Sequence, residues 1–296
     1  MPRLINQMLP VIIIFIIING QRSFGQNYSK IEDIKRLNRK AYDLRFTDAP
    51  RGLILNQIAI NKAIKFNNDT LLSLVYSGRG VLFKNTEQYD SASYYTLKSL
   101  RLREKIGVQL DVAKSLNNLG SIYYESKQYD QALKYYKESL NIKIELGRTD
   151  KLAVSYNNIG NVFDQMGSPD SAIHYYNLGL DFEGTNPYTL NEINLNLGII
   201  YNEIDQPKKS QEILSELFPN LEDTYDKSLC LHSLGISHEG MKQYDSAEYY
   251  FDNAELYADS LNNMELNQYL AKSRLIVSLK TNNNENGLHY LEQYDI

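Results

Sequence analysis

From Leu116 the apolar residues fall at Leu116, Leu119, Ile122 and Tyr123, and after the polar stretch SKQYD at Ala132, Tyr135, Tyr136 and Leu140. Such spacing draws one stripe along a helix face, so the segment predicts two helices joined by a short polar turn. Residues 115–136 read SLNNLGSIYYESKQYDQALKYY, and residues 155–176 read SYNNIGNVFDQMGSPDSAIHYY. Gly80, Gly120 and Gly160 lie 40 apart, as do Ala92, Ala132 and Ala172, and also Gly107 and Gly147. The spacing then tightens to Gly198 and Gly235, and Ala247 follows Gly235 by 12, the interval from Gly120 to Ala132. A period of this length marks stacked supersecondary units, none of which can bury its apolar face alone.

Each unit predicts a helix hairpin. Gly120 and Ala132 are expected where its two helices approach closely, with Tyr123 and Tyr129 filling the wedge, and Asp130 favours the positive end of the second helix. The tyrosines are expected as packing between units.

This pattern resembles the tetratricopeptide repeat. One unit supplies Leu116, Leu119-Gly120, Tyr123, Tyr129, Ala132 and Tyr136, with Ser139 where the family has alanine. The next has Tyr156, Ile159-Gly160, Phe163, Pro169, Ala172, Tyr176 and Gly179, and a later one Leu231, Leu234-Gly235, His238, Tyr244, Ala247, Phe251 and Ala254. Two further units depart from the pattern, with Arg79 where leucine is expected and Ser210 for the small alanine. The resemblance implies an all-α fold, a right-handed superhelical solenoid of about seven stacked antiparallel helix pairs. Its units are expected at about 30–67, 69–107, 109–147, 149–186, 189–220, 225–261 and 264–296. The longer period, with LNNLG and YNNIG, is similar to the subgroup whose asparagines touch the backbone of a bound peptide. The layout also resembles the extracytoplasmic part of bacterial sensor kinases and regulators.

Family geometry places a partner on the concave side, lined by the first helices. Carried onto this sequence, it gives Lys114, Asn117, Asn118, Ser121 and Tyr124, then Asn157, Asn158, Asn161 and Asp164, then Glu192, Asn196 and Asn202, with His232 and Glu239 in a later unit. An asparagine amide offers a donor and an acceptor together, which suits an extended peptide backbone. Relatives that clamp a terminal carboxylate use several lysines or arginines here. Among these positions Lys114 is the one cation, which favours a neutral or basic segment instead.

Composition narrows the alternatives. The chain has 24 tyrosines, no tryptophan, and few breakers (7 prolines and 16 glycines), in keeping with long helices. One cysteine, Cys230, leaves no intramolecular disulfide or cysteine-cluster metal site. A net charge of −5 without a Lys/Arg-rich run argues against nucleic acid. His232 and His238 are six apart, a spacing unsuited to two ligands on one helix face, and His238 stands in a wedge position expected to be core. With no acid–base couple, phosphate loop or zinc-helix motif, the sequence points away from an enzyme and implies no cofactor. The Asp-Ser-Ala triplets at 90–92, 170–172 and 245–247 fall at the turn into each second helix.

The ends differ from the middle. Residues 1–25 read as a secretory signal peptide: Arg3, the apolar run MLPVIIIFIII, and Ser23-Phe24-Gly25 before a cut at Gln26. The run is too short for a spanning helix, and the alternative is an uncleaved anchor at the inner membrane. The expected product is residues 26–296, net −7, exported to the periplasm or beyond. At the other end LHYLEQYDI keeps Leu288, Leu291 and Ile296 apolar, where a solenoid normally carries a polar cap. Self-association through that end is expected. Together these observations predict an exported scaffold that binds a protein or an extended peptide, or else a truncated or partner-dependent sensory input module of a bacterial histidine kinase or DNA-binding regulator.

Overall fold

A computed structural model of the chain describes residues 27–182, 186–261, 263–283 and 287–291. The expected leader, residues 1–25, lies outside them, as does Ile296. Among the described residues all regular structure is helical, and no helix is long and apolar enough to cross a membrane. The chain divides into two compact units, residues 1–142 and 143–296.

The first unit holds α1 (residues 27–43), α2 (Ala49–Phe66), α3 (Asp69–Asn85), α4 (Tyr89–Ile106), α5 (Gln109–Glu125) and most of α6 (Tyr129–Glu145). The second holds α7 (Leu152–Gln165), α8 (Pro169–Leu180), α9 (Pro187–Glu203), α10 (Pro207–Leu217), α11 (Thr224–Gly240), α12 (Tyr244–Ser260), α13 (Met264–Lys280) and the helical residues 287–291. Sequential helices pack as antiparallel hairpins, odd-numbered first helices against even-numbered second helices. Several starts are fixed by side-chain caps: Asn68 accepts from the Leu71 amide at 2.9 Å, and Asp223 accepts from the amides of Tyr225 and Asp226.

One contact recurs inside the hairpins. A residue sixteen places after each glycine lies against it: Tyr136 on Gly120, Tyr176 on Gly160, Leu214 on Gly198, and Phe251 on Gly235. A methyl at Gly120 or Gly160 would come within 2.5 Å of the opposing ring. The glycine is therefore a notch, and the large side chain that enters it is fully or nearly fully buried. This refines the expected wedge. Ala132 is buried, but Tyr136 is what occupies the Gly120 notch, while Tyr123 stacks on Tyr135 at 5.4 Å and Tyr129 meets Tyr124.

From α3–α4 onward, the turn between paired helices is equally regular. The backbone is left-handed at Glu87, Lys127, Gly167, Asp205, Lys242 and Asn282. In each case the next amide reaches back to a carbonyl five residues earlier, as Gln128 does to Tyr123 at 2.8 Å and Gln206 to Tyr201 at 2.8 Å. This is a Schellman closure, and only Gly167 among the six spares the chain a Cβ there.

Polar side chains also join the helices. Ser139, which replaces the family alanine, donates to the Ala113 carbonyl at 2.8 Å, and Ser99 donates to that of Ser73 at 2.7 Å. Both hydroxyls are buried and satisfied. From the ends of second helices, buried cations reach the following first helix. Arg103 donates to the Asp111 carbonyl and to Ser115 Oγ at 2.9 Å, and Lys143 donates to Ser155 Oγ at 2.6 Å.

Lys143 is 6% exposed, and burial, with a smaller contribution from Lys151, brings its pKa from 10.5 down to about 8. Between those values the unfolded chain keeps a proton that the folded chain has released, so stability rises with pH across that window. Urea unfolding of wild type and Lys143→Met at pH 7.5 and 9.5 should show a gain in the wild type that the variant lacks. Parallel pH dependences would contradict this account of Lys143.

Candidate partner-binding faces of the first helices

The expected binding residues fall into two groups, one on each compact unit. In the first unit Lys114 is exposed and pairs with Asp111 at 2.9 Å, one turn earlier on α5. Asn117 and Asn118 are half-buried, and Asn118 Nδ2 donates to Ser77 Oγ on α3 at 3.4 Å. Ser121 hydrogen-bonds the hydroxyl of Tyr136, the ring that fills the Gly120 notch. Tyr124 is half-buried beside Tyr129. Lys84 on α3 reaches Glu125 on α5 at 3.5 Å.

In the second unit the asparagines bond chiefly to the protein itself. Asn196 on α9 donates to Asn157 Oδ1 at 3.2 Å and to Asn161 Oδ1 at 3.1 Å, both on α7. Asn161 also accepts from the Tyr176 hydroxyl at 2.7 Å. Asn202 donates to the Ser233 carbonyl at 2.8 Å and accepts from Ser237 Oγ at 2.9 Å, tying α9 to α11. Asn158 is half-buried on the same helix as Asn157.

Two expected surface residues are not at the surface. Asn157 is 1% exposed, because its amide is consumed in the link to α9. His232 is 7% exposed, bonds Ser273 at 2.8 Å, and burial lowers its pKa to about 4, so the ring is neutral at pH 7. Position counting along a helix gives direction but not the depth at which the next hairpin covers it.

What these faces present, once the amides are engaged, is carboxylate. Burial raises the pKa of Asp164 on α7. Burial and then the neighbouring Asp164 charge raise that of Glu203 on α9. Glu192 is raised by partial burial, against a hydrogen bond from Asn157, with Asp226 on α11 adding to the rise. Asp226 is itself raised by burial and by Asp223. Glu239 is different, because Lys280 on α13 pairs with it. Glu203 and Asp226 escaped the position count; the signal for Glu203 was a like-charged residue one repeat away, visible once the register of turns is known.

Cys230 is fully buried, its thiol pushed up to about 12 by burial, which suppresses the nucleophilic thiolate. His238 stacks on Tyr250 at 4.9 Å and contacts Gln243. Among the described residues no group of three or more His, Cys, Asp or Glu side chains could hold a metal ion.

A family model described as tetratricopeptide repeat matches residues 70–145 and 111–182. Residues 70–182 thus read as tetratricopeptide repeats, and the hairpins α9–α10 and α11–α12 that follow carry the same glycine notch and left-handed turn. No curated protein matches the chain. Solved structures share its fold at low identity. BtubC from P. vanneervenii is 19% identical, with a TM-score of 0.57 over 80% of this chain and 92% of that one. The apo quorum sensor NprR from B. thuringiensis is 13% identical, with a TM-score of 0.69 over 99% and 88%. NprR has also been solved with its cognate peptide NprX, and that structure matches at 14% identity and a TM-score of 0.59 over 99% and 85%.

The amide links set a testable order of importance. Asn196→Ala removes the donor of both Asn157 and Asn161 and leaves a buried acceptor open, which should cost about 1–3 kcal/mol of stability. Denaturant unfolding checks it. A stability change within about 0.5 kcal/mol, the range of an ordinary surface substitution, would show the links to be incidental.

Proposed function

We propose that the chain is a non-enzymatic scaffold that binds a protein or an extended peptide along its first-helix faces and works in the cell envelope after export. The observation that carries the reading is the construction of those faces. The carboxylates of α7, α9 and α11 stand on helices whose asparagine amides are largely engaged within the protein, and Lys114 on α5 is exposed beside its ion-pair partner Asp111, so charged side chains are presented to a partner. The NprR–NprX complex supports it by analogy of fold, since a protein of this architecture accommodates a peptide. Export rests on the leader-like residues 1–25. A role as a sensory input module is the second reading, favoured by the match to a quorum sensor along 99% of this chain. Leu288, 59% exposed, and the exposed Leu291 keep self-association at the C-terminal end as a further element of the proposal.

The experiment is a cross-linked pull-down from the envelope fraction of the producing cell, with mass spectrometry of what is bound. A discrete partner should be recovered with a chain that begins at Gln26, and Lys114→Glu combined with Asn158→Arg should reduce its capture at least about tenfold, the loss of one interfacial hot spot. Recovery of a membrane kinase or a regulator would favour the sensory reading. Capture unchanged in the double variant would contradict binding along these faces.

A further inference from the structure

From α3 onward, the left-handed turn residue gives the hairpins a common register. Three residues before it stands one side chain of the first helix; two residues before the next turn stands its counterpart on the following first helix. In the first unit these places hold Lys84, three before Glu87, and Glu125, two before Lys127, and the two form an ion pair. Late in the second unit they hold Glu239, three before Lys242, and Lys280, two before Asn282, again an ion pair. The sign of the pair reverses, but a lysine ammonium meets a carboxylate in both.

On α7 and α9 the same two places hold Asp164, three before Gly167, and Glu203, two before Asp205. Here two acids stand where the fold elsewhere sets a cation against an anion. Neither makes an ion pair among the described residues. The Asp164 charge adds to partial desolvation in raising the pKa of Glu203, in keeping with the equivalent places the two acids hold in the register. Two acids fall short of the donor set of a metal site, whereas one ammonium or guanidinium matches what the fold itself places there twice.

We propose that Asp164 and Glu203 form the receptor for one lysine or arginine side chain of an extended peptide laid across α7 and α9. The inference rests on the scaffold reading and assigns the charge of its partner. The bound cation completes a position that the chain completes for itself between α3 and α5 and between α11 and α13. Glu192 and Asp226, also unpaired with any described cation, extend the negative field along the same helices. The interlocked asparagines hold the helices in place and the carboxylates select the ligand.

Fluorescence anisotropy of the full chain with sets of short labelled peptides tests this, each set differing only by lysine, acetyl-lysine or glutamate at one position. Lysine peptides should bind at least about tenfold more tightly than their acetyl-lysine counterparts, with an advantage that shrinks as salt is raised. Glu203→Lys supplies the ammonium internally, as Lys280 does for Glu239, and should erase that preference while the melting temperature stays level or rises. Should Glu203→Lys disturb the fold, Glu203→Gln should reduce the preference without lowering the melting temperature. Lys84→Ala, in the other compact unit, should leave it unchanged. Peptides bound alike whatever their charge, or a preference that survives in both Glu203 variants, would overturn the inference and leave the scaffold reading standing. Failure to bind any peptide would take the scaffold reading down as well.

Discussion

The insertion of one large side chain into a glycine notch sixteen residues earlier is the contact on which four successive hairpins depend. Tyr136, Tyr176, Leu214 and Phe251 enter the notches of Gly120, Gly160, Gly198 and Gly235, and all four are buried. A bare backbone at the glycine lets the paired helices come close, and the side chain opposite sets how close. Once that distance is set, the flanking residues fall into place: Ser139 reaches the Ala113 carbonyl, and the turn closes on the carbonyl of Tyr123. Because the notch recurs, an error in one unit would be felt by its neighbours, as expected of a quasi-one-dimensional stack.

The fold was legible because its signal repeats. The helical stripe, the glycine interval and the small-residue interval each return several times, and their agreement specifies helix hairpins where any one instance would be ambiguous. The turns were less legible. A left-handed residue suggests glycine, and the chain places Glu87, Lys127, Asp205, Lys242 and Asn282 there instead, so the conformation is imposed by the Schellman closure rather than announced by composition. Likewise Ser139 looked like a lapse from the family alanine, and its hydroxyl turns out to be a buried donor.

The candidate site was legible in outline only. Counting along the helices picked out a face that carries Lys114, Asn158 and Asp164 within partial or full reach of solvent. It could not tell that Asn157, Asn161, Asn196 and Asn202 would bond to their neighbours across α7, α9 and α11. An amide suited to a peptide backbone is equally suited to another amide, and the adjacent helix is always present. Charge carries more information, since a fold that pairs Lys84 with Glu125 and Glu239 with Lys280 reveals by contrast what is unusual about Asp164 and Glu203.

The notch itself is tested most directly by a double-mutant cycle on Gly235 and Phe251, read by denaturant unfolding. Gly235→Ala alone should destabilise by about 1–3 kcal/mol, the usual cost of overpacking a core. In a Phe251→Val background, where the ring no longer fills the notch, most of that cost should vanish, giving a coupling of about 1 kcal/mol or more. Additivity within about 0.5 kcal/mol would contradict the account, because it would mean that the glycine and the ring do not depend on each other.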